Sequence, residues 1–457
     1  MVSLAESQIP SSQSPCSSST GIQRSHGRSM RTVRCNLYKD DRNCSLDDAP
    51  AAGNSAAVSE NLTDSVVDFK LRELAVGTGS SASASKSAST EDATDLLDLS
   101  RDFSECSSFN SDISGELQRL ASIIPRSEAP QSSPSDLDDL EVLGLGLSSS
   151  EIVESASAVE SFEPAVRACV ERLESVAVPV EAKRVAAAKL RLLAKHRSDF
   201  RALIGASGAI PALIPLLRST DPATQENAVT ALLNLSLEET NKVPITMAGA
   251  IKPLVYALRT GTSVAKQNAA CALLSLAMVE ENRTTIGACG AIPPLVSLLL
   301  HGSSRGKKDA LTTLYKLCSA RQNKERAVRA GVAGPLVGLV GERGGGTAEK
   351  AMVVLGSLAA IPEGRAAVVE AGGIPALVEA IEDGPGRGKE FAVLALLQLC
   401  AESALNRALL VREGAIPPLV ALSQSGSARA KHKAETLLGY LREQRQDGGA
   451  TPGGGRY

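Results

Sequence analysis

The chain has 457 residues, 43% hydrophobic but only 2% aromatic, with six Phe, five Tyr and no Trp. Its core therefore has to be built from Leu, Val, Ile and Ala, and sites that stack bases, sugars or methylammonium groups on aromatic faces are disfavoured. Net charge is −3 and no stretch of about 18 residues is uninterruptedly apolar, which argues against a chain-wide pull toward nucleic acid and against a transmembrane helix.

Residues 1–158 are serine-rich and acidic. The first 150 residues hold 12 basic and 22 acidic side chains, net −10, whereas residues 151–457 hold 36 and 29, net +7. Runs such as Ser80–Thr90 and Ser132–Ser135 carry too little apolar surface to offset ordering entropy, so residues 1–158 are expected to be largely disordered. Two short apolar-acidic pieces, residues 95–99 and 112–124, are candidates for folding on a partner. Ser14 and Ser133 precede proline, Ser104 and Ser122 follow an Arg three residues back, and Ser135 precedes Asp136 and Asp138. These five serines are phosphorylation candidates, each phosphate adding about −1.5 to −2 charges. Nine cysteines show no CxxC pair and four widely separated histidines show no metal-site spacing. They read as reduced thiols, and the chain is expected in the cytoplasm and/or nucleus, with no metal and no cofactor.

From residue 159 the chain repeats itself. One phrase recurs as Gly208-Ala209-Ile210-Pro211, Gly249-Ala250-Ile251, Gly290-Ala291-Ile292-Pro293, Gly331-Val332, Gly372-Gly373-Ile374-Pro375 and Gly414-Ala415-Ile416-Pro417. The spacings are 41, 41, 41, 41 and 42 residues, and a period in the forties with helical patterning predicts a two- or three-helix solenoid unit. The Gly can take the left-handed backbone that ends a helix, and Pro begins the next one well. An apolar stripe follows, such as Leu213, Ile214, Leu216 and Leu217. After a polar turn comes a longer helix, expected over Gln225–Glu238 in one copy and Gln267–Val279 in another. An Asn then recurs at Asn241, Asn282, Asn323 and Asn406, with Gly364 in the remaining copy, and is expected to be the N-cap of the next short helix. Residues 159–206 form an incomplete first repeat, about six repeats reach residue 446, and the Gly-rich residues 447–457 are expected to be a flexible tail.

These residues carry a family resemblance. The Gly-Ala-Ile-Pro-x-Leu opening of the second helix and the Ala-Leu-Leu-x-Leu of the third, at Ala231–Leu235, Ala272–Leu276 and Ala395–Leu399, resemble armadillo repeats. The stretches Arg191–His196 and Gln225–Ser236 are similar to the armadillo region of plant U-box ubiquitin ligases. The resemblance covers about residues 160–445. It implies an all-α fold, a right-handed α-α superhelix, preceded here by the serine-rich region. It further implies a non-enzymatic scaffold, in plant signalling, that binds partner proteins or extended peptide segments along the groove lined by third helices. The alternative it implies is a component of a ubiquitin ligase pathway, as substrate adaptor or as ligase. The Cys-Pro-Ile opening of a U-box occurs nowhere in this sequence, which argues against direct catalysis.

Two ladders of third-helix positions, expected to be exposed, recur at fixed offsets from the repeat Gly. One is Asn234, Ser275, Lys316, Ser357, Gln398 and Tyr440; the other, seven residues earlier, is Asn227, Asn268, Asp309, Lys350, Phe391 and Lys433. In importin-α and β-catenin, an Asn at the first ladder clamps an extended peptide's main chain. Importin-α adds Trp four residues earlier, where this chain has Thr230, Cys271, Thr312, Val353, Leu394 and Thr436, so the resemblance stops short of nuclear-signal binding. The candidate partner-binding groove is Asn227, Asn234, Asn268, Ser275, Lys316 and Gln398. The tracts Gly302–Lys308 and Gly341–Gly346 do not match a phosphate loop and are expected to be inter-helix turns. Lys183, Arg184, Lys189, Arg191, Lys195 and Arg197 crowd the first repeat and Arg429, Lys431 and Lys433 the last. Without interleaved aromatics they read as solvated faces, and neither nucleic acid nor a small-molecule substrate is expected as partner.

Overall fold

The computed structural model describes residues 158–342 and 346–447. All regular structure among the described residues is helical, with twenty α-helices and one 3-10 segment. A pair, α1 (Ala158–Glu174) and α2 (Val180–His196), precedes six three-helix units. The first unit is α3 (Ser198–Ala206), α4 (Ala209–Leu213, continued as a 3-10 segment over Ile214–Arg218) and α5 (Pro222–Ser236). The second is α6 (Glu239–Met247), α7 (Ile251–Thr260) and α8 (Ser263–Leu276), and the third α9 (Glu280–Ala288), α10 (Ile292–His301) and α11 (Ser304–Leu317). Then come α12 (Arg321–Arg329), α13 (Ala333–Val340) and α14 (Thr347–Ala359). The fifth unit is α15 (Pro362–Glu370), α16 (Gly373–Asp383) and α17 (Gly386–Cys400), and the sixth α18 (Ala404–Arg412), α19 (Ile416–Ser425) and α20 (Ala428–Asp447). The candidate segments 95–99 and 112–124, the five candidate serines and the 448–457 part of the tail lie outside the described residues.

The repeat phrase works as its residue types dictate. All six repeat glycines hold φ between 70° and 87°, the left-handed region closed to most side chains. In the second unit Ala250 N–H donates to Ile245 O (3.3 Å) and Gly249 N–H to Thr246 O (3.0 Å), the two bonds of a Schellman stop, and the same pair recurs at Gly290, Gly331 and Gly414. The second helix starts at once, turned by 84° from the first in the first and third units. In α4 the missing N–H of Pro215 breaks the return bond to Pro211, so that helix stops after Leu213 and tightens into 3-10 geometry.

Third helices begin earlier than the apolar stripe suggests. Asp221, Thr262 and Ser303 accept from the backbone N–H of Thr224 (2.9 Å), Ala265 (3.1 Å) and Gly306 (3.1 Å). Asp221 and Thr262 thus sit four and five residues ahead of the predicted starts at Gln225 and Gln267, drawing polar residues into the first turn. The same cap corrects one turn assignment: Gly302 and Ser303 form a turn, but Ser304 onward is helix α11.

Third helices pack on one another in sequence order, α2 on α5, α5 on α8, and so on to α20. They form the central layer of a hydrophobic core that runs without a break from Phe162 to Leu441. It is aliphatic almost throughout. Its aromatic members include Phe391 on α17 and, at the N-terminal end, Phe162 and Phe200, which meet edge to face at 5.4 Å with Arg197 over the Phe200 ring at 5.1 Å.

Candidate functional site: the third-helix layer

The two ladders lie on this layer, but they are not the exposed rows the sequence suggested. Asn227 is half-buried; Asn234, Asn268, Ser275, Lys316 and Gln398 are buried. Because neighbouring third helices are in contact, a polar side chain there meets the next helix before it meets water. Asn234 Nδ2 donates to Arg191 O on α2 (3.0 Å), and Asn268 Nδ2 to Thr230 Oγ1 on α5 (2.9 Å). Ser275 Oγ donates to Ser236 O (2.7 Å) and Ser357 Oγ to Cys318 O (3.2 Å). Lys350 Nζ reaches Thr312 Oγ1 at 3.4 Å. The ladders are therefore inter-repeat staples first, whatever else they contact. Burial lowers the affinity of the Lys316 amine for its proton, Arg283 adds to that, and Glu280 opposes it more weakly. Gln398, 3% exposed, has an Oε1 that accepts no hydrogen bond.

The recurring Asn has a different job from the one expected. It sits inside the first turn of its helix, and Glu238, Val279 and Ala320, the true caps of α6, α9 and α12, make no side-chain bond. Its amide acts as donor, to the carbonyl left open at the end of the preceding third helix. Asn241 Nδ2 reaches Leu235 O (3.1 Å), Asn282 reaches Leu276 O (3.0 Å), Asn323 reaches Leu317 O (3.0 Å) and Asn406 reaches Leu399 O (2.7 Å). Asn241 and Asn323 also donate back one whole repeat, to Arg201 O and Arg283 O, both at 2.8 Å. Gly205 and Gly287 make that possible, since a Cβ at either would stand 1.9 or 1.8 Å from the Asn oxygen. At the equivalent Thr246 the hydroxyl itself donates to Lys242 O (3.0 Å). Where Gly364 replaces the Asn, a Cβ would lie 1.9 Å from Leu358 O.

A second periodic signal was overlooked in the sequence. Seven residues before each repeat Gly stands a cation: Arg201, Lys242, Arg283, Lys324, Arg365 and Arg407. Four of them donate to carbonyls at the end of the preceding third helix, Arg201 to Ala194 (3.3 Å), Arg283 to Ala277 (3.1 Å), Arg365 to Ala359 (3.3 Å) and Arg407 to Ala401 (3.2 Å). Positive charge there complements the negative end of the helix dipole. These cations belong to the scaffold, and only counting them against the repeat period would have separated them from surface lysines.

The layer divides by charge. The positions that fall on the ladder face are, in α5, Ala223, Asn227, Thr230 and Asn234, and in α8, Val264, Asn268, Cys271 and Ser275, none charged. The same positions in α11, α14, α17 and α20 hold Arg305, Lys316, Lys350, Arg387, Arg429 and Lys433, with Asp309 as the single acid. Asp309 pairs with Arg305 (3.4 Å), and Arg387 with Glu349 (3.3 Å). At the C-terminal ends of α11 and α17, burial pushes the thiols of Cys318 and Cys400 up to about 12. No single helix among the described residues is long and apolar enough to cross a membrane.

Comparison with known proteins agrees with this geometry. A family profile described as "Plant U-box protein ARM repeat region" matches residues 165–450. U-box domain-containing protein 4 of Arabidopsis thaliana is 41% identical over 238 residues, 49% of this chain and 29% of that protein. E3 ubiquitin-protein ligase SPL11 of Oryza sativa subsp. japonica is 59% identical over 59 residues, 13% of this chain and 8% of it. The chain thus spans less than a third of either relative. The crystal structure of an engineered protein superposes with a TM-score of 0.56 at 23% identity, covering 82% of this chain and 99% of that one. The matched residues take in nearly all the described helices and more than half of the sequence, and the chain belongs to the plant U-box protein ARM repeat family.

Proposed function

We propose that the protein is a non-enzymatic interaction scaffold that holds a partner polypeptide along its third-helix layer, in plant signalling. The observation that carries this is the layer itself, where six repeats set polar and charged ladder positions side by side on one continuous, rigidly cross-bonded surface. A partner chain lying across it meets one unit after another, so weak contacts add along its length. The candidate residues Asn227, Asn234, Asn268, Ser275, Lys316 and Gln398 are then floor positions of that surface, some also holding the repeats together. Among the described residues, Cys169, Cys318 and Cys400 are buried as thiols, which supports placing the chain in the cytoplasm and/or nucleus. A photo-crosslinking residue at half-buried Asn227 is expected to capture the partner, while the same residue at Val243, exposed on the outer helix α6, is not. Equal capture at both positions would remove the layer from consideration.

A second reading, supported by the names of the relatives, is that the chain serves a ubiquitin ligase pathway as a substrate adaptor without transferring ubiquitin itself. A reconstituted ubiquitination reaction with the purified full chain as sole ligase is expected to yield no conjugates; conjugates would overturn that reading.

A further inference from the structure

The turns between second and third helices line one edge of the rod, and over the first three units that edge is basic. The turns are tied into a row: Thr262 Oγ1 donates to Glu226 Oε2 (2.9 Å), and Gln267 Nε2 donates to Ser303 Oγ (2.6 Å). Close approach is built in, since a Cβ at Gly261 would stand 3.0 Å from Gln225 Oε1 and one at Gly306 3.2 Å from Gln267 Cγ. Five cations line the row. Arg218 ends the 3-10 segment and Arg259 lies in the last turn of α7; both are exposed, with guanidinium carbons 5.5 and 6.0 Å from the centre of the Tyr256 ring. Lys266, Lys307 and Lys308 stand near the starts of α8 and α11, Lys308 exposed and the other two half-buried. None of the five forms an ion pair among the described residues. The acids that these turns do carry are engaged by other groups, Asp221 by Arg184 (3.6 Å), Glu226 by Thr262 and Asp309 by Arg305 (3.4 Å). The third helices also turn the positive ends of their dipoles toward this edge, and α5, α8 and α11 have no acid in the first turn. Exposed aliphatic side chains interrupt the cations. Val264 on α8 and Leu300 in the last turn of α10 are each 47% exposed. Leu300 occupies the position of Arg218 and Arg259 in the two preceding units. The same position is Gly341 in the fourth unit and Glu382 in the fifth, so the pattern is confined to the first three.

We propose that this edge seats the rod on an anionic membrane surface, with the five cations among the lipid head groups and Leu300 and Val264 dipping below them. The surface is separate from the groove of the scaffold reading and goes beyond it; Val264 marks where the two meet. Each Lys or Arg near an anionic leaflet is worth about a fivefold gain in binding. One turn therefore holds too little charge, and adhesion needs the three turns to act together. Their contacts make them a stiff line, which meets a plane without further ordering. The aliphatic side chains favour lipid over other polyanions. A row of nucleic-acid phosphates neutralises the cations but offers nothing to Leu300 and Val264, whereas an anionic lipid interface takes up both charge and apolar surface. The one aromatic ring at this edge, Tyr256, already has guanidinium groups from two units over it, which disfavours stacked bases.

The test is flotation of the purified full chain with vesicles of phosphatidylcholine alone and of phosphatidylcholine with about one-third phosphatidylserine. Binding to the anionic vesicles is expected to be at least about tenfold tighter than to the neutral ones, and to weaken as salt rises. Changing Lys266→Gln, Lys307→Gln and Lys308→Gln together is expected to weaken it by at least about tenfold while the melting curve stays cooperative. Leu300→Ser keeps every charge and is expected to weaken it by about threefold. Arg321→Gln with Arg329→Gln, which removes two exposed charges from α12 outside the edge, is expected to change it less than about twofold. Equal flotation with neutral vesicles, or a loss in the α12 variant as large as in the triple variant, would overturn the proposal. So would an unaltered affinity in Leu300→Ser, which means that the edge reads charge alone. A single-stranded oligonucleotide that strips the chain from anionic vesicles at equal phosphate concentration assigns the edge to nucleic acid and sinks the lipid reading. Partner crosslinking at Asn227 is expected to persist in the triple variant, so failure of this proposal leaves the scaffold reading standing.

Discussion

The first two complete units and the last four are built on one backbone plan and differ in what their third helices carry. In α5 and α8 the ladder side chains are neutral and spend their donors on the neighbouring helix, as Asn234, Asn268 and Ser275 do. In α11 to α20 the same positions hold cations, Lys316 and Lys350 buried, Lys433 half-buried and Arg305, Arg387 and Arg429 exposed, alongside neutral residues and one acid, Asp309. A neutral donor satisfied between helices adds to stability at modest desolvation cost, whereas a buried ammonium pays for its desolvation unless an anion arrives. One stretch is optimised for holding repeats together. The other adds charge at the same positions, part of it tied into the scaffold, as Lys350 is to Thr312, Arg305 to Asp309 and Arg387 to Glu349.

Substitutions can break or sharpen that contrast. The largest effect is expected at Gly364, where restoring the repeat's Asn forces a Cβ onto the Leu358 carbonyl, a backbone atom that cannot step aside. Gly364→Asn should lower stability by about 3 kcal/mol in urea unfolding, although it makes the repeat more regular. Next, Asn323→Ala removes three bonds, two donated and one accepted from Arg326, and Asn282→Ala one. Losses of about 2–3 and about 1 kcal/mol are expected, so equal losses would show that the bond back to Arg283 contributes nothing.

Lys316→Met tests the charged stretch directly. Removing a desolvated charge while keeping its stem should leave stability at neutral pH unchanged or raised by about 1 kcal/mol or less. The wild-type chain should also gain stability as pH rises from the lowered folded value of Lys316 toward the ordinary lysine range, because the unfolded chain then binds the extra proton. That alkaline rise should be smaller in Lys316→Met. A clear loss of stability in this variant would mean that the lysine is structural and that the two stretches do not differ.

The smallest effect is expected at Asp199, whose carboxyl is held below its usual range by the hydrogen bond from Arg197, with further help from Phe200 N–H. Its contribution is complete above the ordinary aspartate range and is lost as pH falls through the lowered folded value. Acid unfolding of Asp199→Asn should therefore show a shallower decline in that window than the wild-type chain. It is a control, since Asp199 lies on α3 and away from the ladders.

Much of this was legible because the period is strict. Six glycines at spacings of 41 and 42 residues could only be helix stops in a stacked array, and each holds positive φ. Helix starts were less legible, because Asp221, Thr262 and Ser303 lie outside the apolar stripe and reveal themselves only through the bonds they accept. The role of Asn241, Asn282 and Asn323 was misread for a related reason. An Asn near a helix start fits an N-cap from sequence, and the carbonyl it actually serves lies six residues back, at the end of a different helix. Exposure of the ladders was misread because helical periodicity says which residues share a face but not how closely the next helix packs on that face.

The sequence by itself determined the fold and its composition. Period, helix stops and an aliphatic core follow from local conformational preference and from the need of each unit to bury its apolar stripe against the next. Tertiary structure decided which polar groups are free to act. Whether Asn234 faces water or Arg191 O, and whether Lys316 is a solvated lysine or a desolvated one, depends on contacts between residues about forty positions apart. Those contacts exist only once the repeats have stacked.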